Sequence, residues 1–143
     1  MSEATPPPAP SGELVIRTIA MPMHTNSNGD IFGGWLVSQM DLGGAIMARN
    51  VTHSRITTAA IDGMSFLNPV YVGDVVSCHA SLLKVGRTSM HIQVEVWAQR
   101  MKAGELVRVT TGTFVYVAID DKGRPQRVHP LGRLSCYHPT PTP

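Results

Sequence analysis

The stretch from Gly29 to Asn50, GDIFGGWLVSQMDLGGAIMARN, decides the fold of this chain. It opens with a glycine-rich loop, contains no proline, and continues into a segment whose apolar residues lie on nearly every side of a helical wheel. A helix that is apolar on most of its faces is normally a buried one. We therefore expect a central helix from about Gly33 to Arg49, with the rest of the chain packed around it.

A single carboxylate, Asp41, lies in the middle of this expected helix. At about 3.6 residues per turn its neighbours on the same face are small, so it points into space that its own helix does not fill. These neighbours are Ser38, Gly44, Ala45 and Ala48. A carboxylate in an apolar setting must be paired, hydrogen-bonded, protonated or functional. From the residues alone, two readings stay open: a structural pair with Arg49 or with a side chain of a partner, and a catalytic role.

Alternation of apolar and polar residues predicts strands before and after the helix. The pattern is clearest in Thr88–Arg100, where every second residue from Met90 to Ala98 is apolar. The Gly86-Arg87 pair indicates a two-residue hairpin turn. One buried helix against one curved sheet satisfies the apolar surfaces of both, so we predict an α+β fold with five to six mostly antiparallel strands. The individual strands expected are Glu13–Ala20, Ser54–Phe66, Val75–Val85, Thr88–Arg100 and Leu106–Ile119.

The composition is that of one globular domain. The chain has 143 residues, 43% of them hydrophobic, and a mean hydropathy of +0.02. We expect a disordered tail at residues 1–12, the domain at residues 13–130 and a flexible tail at residues 131–143. The net charge of +2 does not argue for nucleic acid. A cytoplasmic location is expected because there is no secretory signal, no membrane-spanning apolar run and no sign of a disulfide between Cys78 and Cys136.

The motifs resemble those of the hotdog superfamily, in particular the bacterial YciA-type acyl-CoA thioesterases. The pairing of GDIFGG (29–34) with SQMD (38–41) at this spacing carries the resemblance, which spans roughly Leu14 to Pro130. It implies a hotdog fold, in which a curved sheet wraps one long helix. It also implies hydrolysis of acyl-CoA to free coenzyme A and a carboxylic acid, without a metal or redox cofactor. Further matching motifs are TIAMP (18–22), FLNPVYVGD (66–74), KVGRTS (84–89), VEVW (94–97) and FVYVAID (114–120).

The resemblance assigns catalytic roles to Asp41 and to the glycines that open the helix. An acid at the position of Asp41 is the nucleophile or the general base in the relatives, and the sequence does not separate these routes. Gly33 and Gly34 lack side chains, so a thioester carbonyl could reach the unpaired amides of the helix N-terminus, which would stabilise an oxyanion. The alternative is a helix start that merely tolerates glycine.

The spacing of these two features predicts a dimer. Gly33 and Asp41 are eight residues apart, which is about 12 Å along a helix at about 1.5 Å per residue. Both the oxyanion donor and the attacking group must lie within about 3 Å of one carbonyl. Two antiparallel copies satisfy this requirement, with the amide from one and Asp41 from the other. We therefore expect an obligate homodimer, and the resemblance implies a trimer of dimers.

Asn28 and Asp30 precede the helix and are further catalytic candidates. Asp30 is also a natural helix N-cap or turn former. The resemblance instead places a polar residue here near the thioester, opposite the catalytic acid of the partner. Some thioesterase relatives carry Asn at the position of Asp30, where it can orient the water.

The hairpin Lys84–Ser89 is the expected contact for the nucleotide part of coenzyme A. That group carries phosphates, for which basic side chains beside hydroxyl and backbone donors are suited. The alternative is a basic tip that is only solvated. The candidate contacts are Lys84, Gly86, Arg87, Thr88 and Ser89, with Arg55 and Arg108 as less specific ones.

Other function classes fit the sequence less well. The six histidines show no metal-ligand spacing, and Ser38 lacks the G-x-S-x-G setting of a serine hydrolase. A hotdog hydroxyacyl-thioester dehydratase would carry a loop His where this chain has Asp30-Ile31-Phe32. A non-catalytic acyl-CoA-binding hotdog module would need no helix acid and would usually carry a DNA-binding segment, for which we expect no room. We predict no membrane partner.

Overall fold

Residues 8–129 are described by the computed structural model, and they contain one α-helix and five β-strands. The tails expected at residues 1–12 and 131–143 lie mostly outside this range. The sequence predicted each strand and helix boundary to within two residues, but it missed a short 3-10 helix, Pro22–His24, inside the loop ahead of α1. In chain order the elements are β1 Glu13–Ile19, α1 Gly33–Val51, β2 Arg55–Phe66, β3 Val75–Val85, β4 Ser89–Gln99 and β5 Leu106–Ile119.

The strands form a single sheet in the order β1-β3-β4-β5-β2, and all of its pairs are antiparallel. Because β1 and β2 occupy opposite edges, α1, which joins them in the chain, must cross the whole face of the sheet. The helix contacts all five strands, both edges included. The predicted α+β architecture, one long helix wrapped by one antiparallel sheet, is confirmed.

The period-two pattern of β4 determines which face of the sheet meets the helix. Its five alternate apolar residues are all fully buried: Met90, Ile92, Val94, Val96 and Ala98. The opposite face is partly covered as well. Trp97 Nε1 donates to Glu95 (2.8 Å), and the Ser11 hydroxyl donates to the same carboxylate (2.5 Å). Ser11 lies in the stretch expected to be a disordered tail, so the chain already contacts the sheet two residues before β1.

The helix is buried on one side only. Its sheet side carries the buried residues Leu36, Met40 and Met47, whereas Leu42 is 57% exposed and Ile46 43%. The expectation of a helix covered on most of its faces is therefore met only toward the sheet, and a single copy of residues 8–129 leaves an apolar strip of α1 open. No helix in this part of the chain is long and apolar enough to span a membrane.

The turn between β3 and β4 differs from the prediction. Three residues, Gly86 to Thr88, separate the strands, and the Gly86 amide donates to the Ser89 carbonyl (2.7 Å). A two-residue type I′ turn requires positive φ at both central residues. Among residues 8–129, positive φ is confined to six glycines, and Gly86 is not one of them. The longer turn is the result.

A buried ion pair holds the loop that follows β2. Arg100 Nη1 lies 2.6 Å from Asp74 Oδ2 and also donates to the Pro69 carbonyl (2.9 Å). The Val70 carbonyl in this loop accepts a hydrogen bond from the Ile31 amide (2.9 Å), just ahead of α1. The ion pair therefore helps to fix where the helix begins.

Candidate active site

Asp41 lies on the sheet side of α1, half-buried, and one of its carboxylate oxygens is held by two hydroxyl groups. Thr58 Oγ1 donates to Oδ1 (2.7 Å). The Tyr116 hydroxyl lies 3.1 Å from the same oxygen and 2.8 Å from the backbone carbonyl of Asp41. Among residues 8–129, Oδ2 accepts no hydrogen bond. The carboxylate is therefore anchored through one oxygen, and its other oxygen has no partner among these residues.

The sheet register brings these two hydroxyl groups to one place. Thr58 on β2 and Tyr116 on β5 are directly opposite each other in the antiparallel ladder. Opposite residues in such a ladder put their side chains on the same face, about 5 Å apart. Both side chains therefore reach the same turn of the helix that packs on that face.

Tyr116 is suited to donate. Burial, together with the nearby Asp41 carboxylate, raises the pKa of Tyr116 above its ordinary value. The hydroxyl therefore keeps its proton throughout the neutral range and remains a hydrogen-bond donor.

The alternative of a structural pair between Asp41 and Arg49 is not what the structure shows. Among residues 8–129, the Asp41 carboxylate is held by the uncharged hydroxyl groups of Thr58 and Tyr116, and no ion pair with Arg49 forms. A pair with a side chain of a partner stays open.

The first amides of α1 donate no backbone hydrogen bond among residues 8–129. The first backbone hydrogen bond of the helix runs from the Leu36 amide to the Phe32 carbonyl (3.3 Å), and Phe32, at the N-cap position, provides no side-chain hydrogen bond to the helix amides. The interpretation of Asp30 as the N-cap is therefore wrong, because the cap position is Phe32. A Cβ built on Gly34 would meet nothing within 4 Å, whereas one on Gly33 would lie 3.4 Å from the Phe66 ring. The space beside the helix start is therefore at Gly34.

A groove of about 370 Å³ lies beside this helix start. Asp30 is half-buried in its wall, and no described residue donates a hydrogen bond to the Asp30 side chain. The groove brings the polar side chains of Asn26 and Asp30 together with apolar side chains, and it reaches the helix start at Gly33. Its lining is formed by Asn26, Asp30, Ile31, Gly33, Leu36 and Phe66, together with residues 67–70.

Asn26 shapes the loop that carries Asn28 and Asp30. Its Oδ1 accepts hydrogen bonds from the amides of Asn28 (2.8 Å) and Asp30 (3.2 Å). Gly29 adopts a φ of 85°, a conformation that favours glycine. The Asn28 side chain is exposed, and the structure does not join it to the hydrogen bonds around Asp41. Of the two candidates in this loop, Asp30 is the one that lines the groove.

The hairpin candidates form a separate group. The carbonyls of Arg87 and Thr88 accept hydrogen bonds from Val128 (2.9 Å) and Ala118 (2.9 Å), so the turn is held from behind while the side chains of Lys84 and Arg87 are exposed. No hydrogen bond among the described residues links this hairpin to Asp41. The hairpin and the surroundings of Asp41 are therefore not connected by hydrogen bonds within one copy of residues 8–129.

The two less specific arginines lie in different surroundings. Arg55 lines a second groove, of about 420 Å³, together with Arg49 and His53 at the C-terminal end of α1. Arg108 is exposed on β5, and its carbonyl accepts a hydrogen bond from Asn68 (2.7 Å). Arg55 therefore belongs to a basic groove, whereas Arg108 lines a different groove, of about 710 Å³, together with Leu67 and Asn68.

Thr58 and Tyr116 are the residues that sequence reasoning missed. Tyr116 had a signal, because it occupies an inward position of β5 between Phe114 and Ala118, and a buried tyrosine hydroxyl usually has a partner. Thr58 had none, since its role follows from the strand register. No group of three or more His, Cys, Asp or Glu among residues 8–129 is arranged to hold a metal ion.

Known proteins resemble this chain in sequence and in structure. Residues 28–105 match the pattern of the thioesterase superfamily. The acyl-CoA thioester hydrolase YciA of Salmonella typhimurium is 52% identical over 120 residues, which cover 82% of this chain and 90% of that protein. The hexameric thioesterase of Yersinia pestis is 52% identical with a TM-score of 0.81, over 85% of this chain and 99% of the other. The hexameric hotdog fold thioesterase of Campylobacter jejuni is 39% identical with a TM-score of 0.78, over 82% and 91% respectively.

Proposed function

The chain belongs to the thioesterase superfamily, has the hotdog fold and is an acyl-CoA thioester hydrolase. From this premise we propose which of its residues catalyse the reaction. The predicted fold and activity are thereby confirmed, and the dehydratase and the non-catalytic module are set aside. The reaction converts acyl-CoA and water into coenzyme A and a carboxylic acid.

Asp41 is the residue that drives the attack on the thioester. The observation that carries this proposal is the difference between its two oxygens: Oδ1 is held by Thr58 and Tyr116, whereas Oδ2 accepts no hydrogen bond from residues 8–129. As a general base, Oδ2 takes a proton from water while the water oxygen bonds to the acyl carbon. As a nucleophile, Oδ2 bonds to that carbon itself, and water then hydrolyses the mixed anhydride. In both routes the carbon–sulfur bond breaks and the coenzyme A thiolate takes up a proton.

The open amides of α1 stabilise the oxyanion. The backbone at Gly34 faces empty space, so a thioester carbonyl can approach it without a clash. Donors at a helix N-terminus favour the negative charge that develops on that oxygen. Gly33 leaves room for the same carbonyl, because any side chain there would contact the Phe66 ring, 3.4 Å from the Cβ position. Asp30 is the polar group that orients water or substrate in the adjacent groove, and Asn28 contributes through the turn that carries Asp30.

The complete site requires two copies of the chain. The roughly 12 Å between Gly33 and Asp41 along α1 is too far for one carbonyl to contact both. A two-fold related copy can place its own helix N-terminus beside Asp41 of the first copy. It also covers apolar surface that one copy leaves open on α1, at Leu42 and Ile46. The Yersinia pestis and Campylobacter jejuni thioesterases are hexamers. We propose the same for this chain, as an obligate dimer assembled into a trimer of dimers.

The β3–β4 hairpin binds the nucleotide part of coenzyme A. Arg87 and Lys84 are exposed there, beside the hydroxyl groups of Thr88 and Ser89 and the backbone of Gly86. This set of donors suits phosphate groups. Coenzyme A enters as part of the substrate, and the proposed steps use only side chains, backbone amides and water. The cytoplasmic location expected from the sequence stays a prediction.

Asp41→Asn tests the central role. The amide cannot act as base or nucleophile but keeps the shape of the side chain, so we expect an intact oligomer whose release of free thiol from acyl-CoA falls about a hundredfold or more. Size-exclusion chromatography checks the assembly, and a thiol reagent measures turnover. Asp121→Asn, the same change in an exposed turn, is the control and should release thiol at the wild-type rate. Wild-type turnover in Asp41→Asn would remove Asp41 from the mechanism.

A further inference from the structure

A tyrosine and a glycine meet directly beneath the carboxylate of Asp41. Tyr116 is fully buried toward the C-terminal end of β5, and its hydroxyl lies within hydrogen-bond distance of both a carboxylate oxygen and the backbone carbonyl of Asp41. Gly44, one helical turn after Asp41, is the residue that faces this hydroxyl. The hydroxyl therefore touches the reactive residue at two atoms.

Gly44 occupies a position where only a missing side chain permits this contact. A Cβ built there would overlap the Tyr116 hydroxyl oxygen and lie 2.9 Å from two ring carbons. Glycine is among the least favourable residues in a helix interior. Its presence in the fourth turn of α1, in the helix interior, thus requires a reason in the tertiary structure, and the approach of the tyrosine supplies one.

We propose that Tyr116 is a positioning residue for the hydrolysis and that Gly44 gives its hydroxyl access to Asp41. This inference rests on the proposed role of Asp41. The last torsion of an aspartate is broad and nearly two-fold, so an unrestrained carboxylate exchanges its two oxygens freely. The Tyr116 hydroxyl shares its one proton between the Asp41 backbone carbonyl (2.8 Å) and Oδ1 (3.1 Å). It therefore fixes Oδ1 relative to the helix backbone and leaves Oδ2 for the reaction.

Tyr116 and Thr58 are not equivalent holders of that oxygen. Thr58 makes the shorter hydrogen bond to Oδ1 (2.7 Å), but it lies exposed on the edge strand β2. Tyr116 lies on β5, which is paired on both sides, and its ring stacks on Phe114 (ring centroids 6.3 Å apart). The tyrosine is therefore the rigid one of the two donors, and its loss should affect the reaction more than binding.

Tyr116→Phe is the direct test, because it removes one oxygen and keeps the ring. A hydrogen bond to a charged group accounts for about a tenfold to a hundredfold effect on an equilibrium or rate. We expect kcat for acyl-CoA to fall by about that factor while KM stays within about twofold. A residue that only supports the fold would not produce this split. Tyr71→Phe removes a hydroxyl from an exposed tyrosine and should leave both constants unchanged.

Gly44→Ala tests the access through the helix. The added methyl group displaces the hydroxyl without removing it, so kcat should fall as in Tyr116→Phe. Because both changes break one contact, the double variant should be no slower than Gly44→Ala alone. Gly43→Ala is the matched control: its methyl group crowds Val15 (2.8 Å) on the side away from Asp41, so kcat should hold even if the variant melts earlier.

The outcomes separate this inference from the proposal beneath it. Wild-type turnover in Asp41→Asn overturns both. The role of Tyr116 alone is overturned if Asp41→Asn is inactive while Tyr116→Phe keeps the wild-type kcat. It is also overturned if KM of Tyr116→Phe rises by as large a factor as its kcat falls. Independent, multiplicative losses in the double variant overturn the link between Gly44 and the hydroxyl. If Gly44→Ala does not fold, Tyr116→Phe alone decides the inference.

Discussion

Replacing Arg100 by methionine should destabilise the fold strongly, although Arg100 lies outside the catalytic site. The substitution keeps much of the aliphatic length and removes the cation. The partner, Asp74, is almost completely buried: its side chain is 3% exposed, against 18% for Arg100. After the change, Asp74 Oδ2 keeps only the Tyr71 amide (2.9 Å) as a donor. A buried carboxylate is then left without its counter-charge.

The contacts set the size of the effect. The hydrogen bond between the two charged groups contributes about 1.5–3 kcal/mol, and the guanidinium packed over the Tyr71 ring (4.7 Å to the centroid) adds about 0.5–1 kcal/mol. The sum, roughly 3 kcal/mol, agrees with the about 3–5 kcal/mol lost when one partner of a buried pair is removed. For a chain of this size, the melting temperature should fall by about 10 °C.

Thermal melting at equal protein concentration is the assay, because the stability of an oligomer depends on concentration. Arg124→Met makes the same chemical change at an exposed turn residue and should melt with the wild type. Adding Asp74→Asn to Arg100→Met removes the stranded charge and should recover part of the loss. If Arg100→Met melted within about a degree of Arg124→Met, the ion pair would not be the stabilising element described above.

Three further predictions concern pH, thiol reactivity and substrate affinity. Burial alone would raise the pKa of Glu95, but hydrogen bonds from Ser11 and Trp97 bring it below the ordinary value. Ionised Glu95 therefore stabilises the fold at any pH above its unfolded-state pKa. This contribution disappears as the pH falls through the folded-state pKa. The urea midpoints of Glu95→Gln and wild type should therefore differ most near neutral pH and converge in acid; a constant gap would contradict this. Burial raises the pKa of Cys78 to about 12, so in a Cys136→Ser background a thiol reagent should label the folded enzyme only after denaturation, and prompt labelling would show an open site. Arg87→Ala should raise KM for acyl-CoA and leave kcat unchanged, as expected for lost uniform binding, whereas an unchanged KM would return Arg87 to a solvated tip.

The order and bounds of the secondary structure were readable from the sequence because the signals are local. The alternation in β4 is written in consecutive residues, and every apolar position from Met90 to Ala98 is buried as predicted. The helix beginning at Gly33 was predicted from its glycine-rich start and its continuous apolar run, and it begins there. The same local reasoning failed at Gly86, because a turn is also set by the register of the strands that it joins.

The surroundings of Asp41 were not readable in the same way. The sequence identified a lone carboxylate among small residues, and it left an ion pair with Arg49 open. The structure instead brings Thr58 and Tyr116 to one oxygen, from positions 17 and 75 residues away in the chain. No periodicity connects residues at such separations.

The sequence by itself determined that one apolar helix bearing a single acid would pack on an antiparallel sheet, because burial patterns repeat every two residues in a strand and about every 3.6 in a helix. Only the tertiary structure decided which oxygen of Asp41 is held, why Gly44 must lack a side chain, and which strip of the helix stays open. Those features depend on how β2 and β5 align across the sheet, and strand alignment is set by the packing of the whole domain rather than by any one segment.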